Sequence, residues 1–239
     1  MIKSFNKGLI VSCQAEGNDP FNKPQFLAAF AKAAELGGAC AIRAEGIQNI
    51  KAIKVEVTIP VIGIIRGKYH DNYPLLTPDF NDVENLIDCG CDFVALDATN
   101  RIRPNGYNGP NFLGEVKERY SIPIVADISN YDEGIAAAEL GADLIATTLS
   151  GYTPDSIDNI DTDNPDYELI STLSSSTNIP IIAEGRIWTP SDAIKAIEFG
   201  AYSVVVGTAI TRPKIITQMF HSALESLKTN KSLLDEDLF

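Results

Sequence analysis

The feature that most constrains this chain is a repeated unit in which a helical pattern ends at glycine and a β-branched or apolar run follows within one to three residues. Four copies occur. Glu35-Leu36-Gly37-Gly38 precedes Ala39-Cys40-Ala41-Ile42-Arg43, and Asp88-Cys89-Gly90 precedes Cys91-Asp92-Phe93-Val94-Ala95-Leu96-Asp97. Glu139-Leu140-Gly141 precedes Ala142-Asp143-Leu144-Ile145, and Glu198-Phe199-Gly200 precedes Ala201-Tyr202-Ser203-Val204-Val205-Val206. A second element, Ile-Pro before an apolar run, alternates with it at Ile59-Pro60, Ile122-Pro123 and Ile179-Pro180. With an opening strand at 9–13, eight strands are expected.

Segments between the strands carry apolar residues at helical spacing, as at Phe26, Phe30, Ala33 and Ala34, and some open on capping signals such as Thr189-Pro190-Ser191-Asp192. Strands that are apolar throughout imply burial on both faces, as in a parallel sheet. Eight such βα units closing on themselves make a single (β/α)8 TIM barrel, and 239 residues are close to the roughly 250 typical of one. The expected domain is therefore 1–239, with a polar, acidic tail from about 230 to 239 that should fray. A doubly wound open sheet is the alternative, but Ser12-Cys13-Gln14-Ala15-Glu16-Gly17 after the first strand has no Gly-x-Gly.

Composition narrows the function. Apolar residues at 45% exclude bulk disorder, and no apolar run has the length of a membrane helix. A formal charge of −13 without a basic patch disfavours nucleic acid and anionic membranes, yet a few arginines in a cleft can still hold a small anion. Cys13, Cys40, Cys89 and Cys91 form no Cys-x-x-Cys, and two histidines are too few for a His-based zinc site. Neither a disulfide framework nor a metal is expected. The short apolar stretch at 8–11 stops at polar residues and does not resemble a signal-peptide core, so a cytoplasmic location is expected.

In a barrel the chemistry lies at the carboxyl ends of the strands. Here these ends read Gln14, Arg43-Ala44-Glu45, Arg66-Gly67-Lys68, Asp97-Ala98-Thr99, Asp127-Ile128-Ser129, Thr147-Thr148-Leu149-Ser150, Glu184-Gly185-Arg186 and Gly207-Thr208. The last two ends, with Gly185, Arg186, Gly207 and Thr208, stand where many barrels bind phosphate through backbone N–H groups, and Arg212 is the candidate side-chain clamp. Carboxylates at Glu184, Asp127 and Asp97 facing Arg43 and Arg66 or Lys68 suit proton transfer. For Asp97 a structural role at the strand end is the stronger expectation. The Asp- and Asn-rich connection at 151–165 lacks the glycine and terminal Glu of a calcium loop and reads as a substrate lid.

These strings resemble the N-acetylmannosamine-6-phosphate 2-epimerases of sialic acid catabolism over nearly the whole chain. The resemblance is carried by Gly8-Leu9-Ile10-Val11-Ser12-Cys13-Gln14, Ala41-Ile42-Arg43, Ala95-Leu96-Asp97-Ala98-Thr99, Thr147-Thr148-Leu149-Ser150-Gly151-Tyr152-Thr153, Ile182-Ala183-Glu184-Gly185-Arg186 and Val206-Gly207-Thr208-Ala209-Ile210-Thr211-Arg212-Pro213. It implies a ribulose-phosphate-binding-barrel-like fold and active-site roles for Gln14, Arg43, Asp127, Glu184 and Arg212. It also implies cofactor-free interconversion of N-acetylmannosamine 6-phosphate and N-acetylglucosamine 6-phosphate by proton transfer at C2. The partner is then a small amino sugar phosphate; whether the chain forms a homo-oligomer stays open.

One position departs from the pattern. The family places the lysine it uses as C2 acid/base directly after the third strand, where this chain has Arg66-Gly67-Lys68. Arginine stays protonated and is a poor base. If the strand continued extended, Lys68 would face the mouth as Arg66 does, and burial beside Arg43 and Arg66 would suit it to the role of base, with Arg66 as phosphate or enolate partner. Two other readings are a non-catalytic or weakly active sugar-phosphate binder and a different phosphate-binding barrel enzyme.

Overall fold

The computed structural model describes residues 7–70, 72–157 and 163–236, with side chains in the last helix described through 227. Eight parallel strands close a barrel: β1 (Gly8–Cys13), β2 (Ala41–Glu45), β3 (Val61–Ile64), β6 (Phe93–Asp97), β7 (Ile124–Asp127), β8 (Leu144–Ala146), β9 (Ile181–Glu184) and β10 (Ser203–Val206). Neighbours around the ring follow chain order, and β1 closes onto β10 with Gly8 opposite Ser203 and Val11 opposite Val206. The (β/α)8 TIM barrel expected from the repeat is the fold observed.

The helices are α1 (Pro24–Leu36), α2 (Ile47–Glu56), α3 (Phe80–Asp88), α4 (Gly109–Arg119), α5 (Tyr131–Glu139), α6 (Tyr167–Ser176), α7 (Pro190–Glu198), the one-turn α8 (Thr208–Thr211) and α9 (Pro213–Glu236). The repeat has a backbone cause. Gly38, Gly90, Gly141 and Gly200 adopt φ of 96°, 85°, 85° and 104°, the left-handed turn that ends a helix and admits glycine without a Cβ clash. Helix starts are equally local. Thr189 accepts from Asp192 N while the Asp192 carboxylate accepts from Thr189 N, closing a capping box on α7. The tail expected to fray is helical in backbone as far as Glu236, and 237–239 lie outside the described residues.

Two apolar layers follow from the two faces of each strand. Outward residues such as Val11, Ile42, Val94 and Ile145 pack against the helices, while Ile10, Ile62, Phe93, Val125 and Ile182 fill the barrel interior. Side chains two apart point the same way, so the residues after this interior layer rise one storey above it toward the mouth. Ser12 stands over Ile10, Arg43 over Ala41, Asp127 over Val125 and Glu184 over Ile182.

The third strand end differs from the extended continuation expected of it. β3 stops at Ile64, and Arg66–Lys68 forms β4, which pairs antiparallel with β5 (Pro74–Leu76) in a separate hairpin, Arg66 opposite Leu76 and Lys68 opposite Pro74. A Cβ on Gly67 would lie 2.4 Å from the Pro78 ring, so only glycine passes there. Thr77 closes the hairpin in a left-handed conformation, φ 49°, donating from N to Ile65 O at 2.7 Å and from Oγ1 to Ala95 O at 2.6 Å. Arg103 holds the same turn through Nη1, which donates to Thr77 O and Pro78 O.

Candidate active site

The floor of the mouth is a buried ion cluster. Arg43, 1% exposed, donates from Nη1 and Nη2 to the two oxygens of Asp127 at 3.0 and 2.8 Å, a bidentate pair. Thr148 Oγ1 donates to Asp127 Oδ1 at 2.5 Å. Arg43 Nη1 also lies 3.2 Å from Glu184 Oε2, but off the hydrogen-bonding direction, so that buried oxygen has no hydrogen-bond partner. Burial pushes the Glu184 carboxyl up to about 7, helped by the negative charge of Asp127; Arg43, Thr148 and Arg66 pull against it. Burial disfavours the Arg43 cation, but Asp127 and Glu184 together more than offset this and raise its pKa. The arrangement therefore holds a fixed cation beside a carboxyl poised to gain or lose a proton near neutrality.

A second group stands at the rim. Arg66 Nη2 donates to Gln14 Oε1 at 2.8 Å, and Gln14 Nε2 donates to Ser12 Oγ at 2.8 Å. Arg66 Nη1 donates a short hydrogen bond to Glu16 Oε1, which also accepts from Arg212 Nη2 at 2.7 Å. Burial alone would raise the Glu16 pKa, but the two guanidinium groups lower it overall. Lys68 is exposed and does not line the cavity. The burial expected for it beside Arg43 and Arg66 does not occur, because the hairpin turns the chain out of the strand direction one residue before Arg66.

Between these groups lies a cavity of about 410 Å³ lined by Ser12, Gln14, Glu16, Arg66, Thr148, Tyr152, Glu184 to Trp188, Gly207, Thr208 and Arg212, among others. Gly185, at φ 113°, and Arg186, at φ 56°, turn the backbone along its wall. Opposite, a Cβ on Gly207 would come within 3.3 Å of the Ser12 Cβ, so glycine lets β10 end close to β1 and start α8 at the cavity. Arg186 is tied to carbonyls, Nε to Asn164 O at 2.7 Å and Nη1 to Ser150 O at 2.8 Å, so its side chain braces the loop after β8. Of that loop, expected to be a lid, 158–162 lie outside the described residues, and Tyr152 reaches the cavity.

Eight of the residues expected from the sequence meet at this mouth: Gln14, Arg66, Glu184, Gly185, Arg186, Gly207, Thr208 and Arg212 line the cavity, while Arg43 and Asp127 form the floor beneath. Asp97 does not join them. It accepts from Thr99 N and Oγ1 at 3.0 and 2.7 Å and pairs with Arg101 Nη2 at 2.8 Å, the structural role expected of it. The expectations gave no role to Glu16 or Trp188, and reached Tyr152 only as part of the 151–165 lid stretch. Glu16 follows Gln14 by two residues, the spacing that placed other mouth residues, but it sits past the strand end where that spacing loses force.

Comparison with known proteins gives the family of the chain. Residues 27–226 match the family described as "Putative N-acetylmannosamine-6-phosphate epimerase". A protein of Caldanaerobacter subterraneus subsp. tengcongensis, described as "Putative N-acetylmannosamine-6-phosphate 2-epimerase", is 54% identical over 221 residues, 92% of each chain. One of Clostridioides difficile with the same description is 45% identical over 94% of this chain and 99% of its own. The solved structure of the N-acetylmannosamine-6-phosphate 2-epimerase from Clostridium perfringens, 44% identical, superimposes with a TM-score of 0.83 over 90% of this chain and 92% of that one. Thiamine phosphate pyrophosphorylase from Pyrococcus furiosus, 16% identical with a TM-score of 0.58 over 86% of this chain and 87% of its own, shares the barrel alone. Sequence identity at this level across nearly the full length, on a common barrel, places the chain in the N-acetylmannosamine-6-phosphate epimerase family.

Proposed function

We propose that this protein interconverts N-acetylmannosamine 6-phosphate and N-acetylglucosamine 6-phosphate by deprotonation and reprotonation at C2, an isomerase working without a cofactor. The observation that carries the proposal is the near-neutral Glu184 carboxyl beside the buried Arg43–Asp127 pair, open to a cavity of sugar-phosphate size. The C2 hydrogen is acidic only next to a carbonyl, so the ring opens first by proton transfer between O1 and O5. Removal of the C2 proton then moves its electron pair into a C1–C2 double bond and places negative charge on O1. Arg43 and Arg66, held rigidly by Asp127 and Gln14, offer fixed positive charge to that oxyanion.

The phosphate is assigned to the backbone at Gly185, Arg186, Gly207 and Thr208, whose contacts orient the sugar rather than react, with the Arg212 guanidinium reaching from that end of the cavity to Glu16. Tyr152 and Trp188 present aromatic surface for the apolar face of the sugar or its N-acyl group. Phosphorylated sugars are retained by membranes, which supports a cytoplasmic location, and among the described residues no helix is long and apolar enough to cross one. The net charge of −13 supports a small-molecule partner over nucleic acid. The functional unit is proposed to be the barrel of 1–239. Incubation with N-acetylmannosamine 6-phosphate in D2O should yield the second epimer with deuterium at C2. Ligand-dependent thermal stabilisation with neither exchange nor product at high enzyme concentration would reduce the protein to a sugar-phosphate binder.

A further inference from the structure

Inversion at C2 requires a proton to leave one face and another to arrive on the opposite face. Among the described residues lining the cavity, the carboxylates are Glu16 and Glu184. Arg66 is hydrogen-bonded to Glu16 directly and lines the same cavity as Glu184. The geometry points to Glu16 as the second acid/base of the reaction, working on the face of C2 opposite Glu184, with the Arg66 guanidinium that it holds turned to the developing oxyanion. The assignment rests on the epimerase reading above and supplies what Arg66, as a non-titrating cation, cannot.

Three further features support it. Both ion pairs of Glu16 engage the same oxygen, Oε1, so the carboxylate can take up a proton at its other oxygen without releasing Arg66 or Arg212. The side chain is 52% exposed, open to the solvent exchange that returns the dyad to its starting state, whereas Glu184 is 14% exposed on the buried floor. Their proton affinities are also driven apart, Glu16 down by two arginines and Glu184 up by burial, the division expected of a base and an acid sharing one proton.

The step balances without a co-reactant. The Glu16 carboxylate takes the C2 proton, and the C–H pair becomes the C1–C2 π bond as the carbonyl pair moves onto O1. On return, the O1 pair reforms the carbonyl and the π pair takes the Glu184 proton on the other face of C2. One proton has passed from Glu184 to Glu16, and the reverse reaction, or solvent, restores it.

The test is C2 hydrogen exchange in D2O, followed by NMR from each pure epimer in turn. Glu16→Gln should slow interconversion by about 10²- to 10⁴-fold. It should still exchange the C2 hydrogen of one epimer, without inversion, through Glu184; Glu184→Gln should exchange only the other epimer. Thermal stabilisation of both variants by N-acetylmannosamine 6-phosphate establishes that they fold and bind. A Glu16→Gln enzyme that inverts C2 within tenfold of the wild-type rate, or that exchanges both epimers or neither, overturns the role of Glu16 alone. A wild-type protein silent with both epimers overturns the epimerase reading, and this role with it.

Discussion

Replacing Asp127 by Asn keeps the shape of the floor and removes one of its charges. Asp127 is fully buried and supplies both acceptors of the bidentate pair with Arg43, which is itself 1% exposed. An amide offers one oxygen and turns an N–H toward a guanidinium. Breaking a buried ion pair from one side costs about 3–5 kcal/mol, because the partner charge stays buried. Glu184, 3.2 Å from Arg43 Nη1, remains as a counter-charge and holds the loss toward the lower end. With an unfolding entropy of roughly 0.5 kcal/mol/K for a chain of this size, the melting temperature should fall by about 6–10 °C. The same change lowers the Glu184 pKa from about 7, since a like charge is gone and Arg43 now leans on Glu184 alone. Circular dichroism melts read the first effect, and the alkaline limb of kcat/KM reads the second. A melting point within about 2 °C of wild type, or a limb that stays in place or moves up, would refute this account of the floor.

Other consequences are open to direct measurement. With one proton shared between the two carboxylates, kcat/KM should fall as pH rises through about 7, where Glu184 loses its proton, and by the same factor for both epimers because their equilibrium constant does not depend on pH. Stability should follow the same direction: the Glu184 pKa is raised in the fold, so its contribution is complete below the ordinary carboxylate value of 4.5 and is lost as pH climbs through about 7, seen as melting points falling between pH 5 and 8. Lys68→Ala should keep kcat within about threefold, as expected of an exposed side chain away from the cavity; a loss beyond 100-fold would return Lys68 to the chemistry. Gly185→Ala forces a Cβ onto a φ of 113° and should cost about 1–3 kcal/mol while raising KM for the sugar phosphate more than it lowers kcat; an unchanged KM argues against a phosphate site there.

The barrel was legible because its signals are local and repeated. Each Gly38, Gly90, Gly141 or Gly200 marks a helix end that only glycine forms cheaply, and each following run alternates between two buried faces. The floor was legible for the same reason: a two-residue period that puts Ile182 inside the barrel also puts Glu184 at its mouth. Beyond the strand ends that period no longer governs. Extrapolating β3 carries Lys68 toward the mouth, whereas the hairpin is set by long-range contacts, Thr77 with Ala95 and Gly67 with Pro78, that no local pattern announces. Glu16 carries no local signal because its surroundings are set by two arginines, 50 and 196 residues away in the chain.

The β4–β5 hairpin is pinned from below by a structure that takes no part in the chemistry. Thr77 is fastened to β6 through Ala95 O, and Arg103, stacked 4.1 Å from the Phe112 ring, reaches Thr77 O, Pro78 O and Asp97 O together. Arg103 thus works as a keystone: the height of the Arg66 guanidinium over the floor is fixed by a residue on the far side of the turn. The cationic arm of the site is in this sense a fitting bolted onto the barrel rather than a stave of it. A substitution at its tip, Arg66→Lys for instance, leaves the barrel uncut so long as the bolts at Thr77 and Arg103 stay in place.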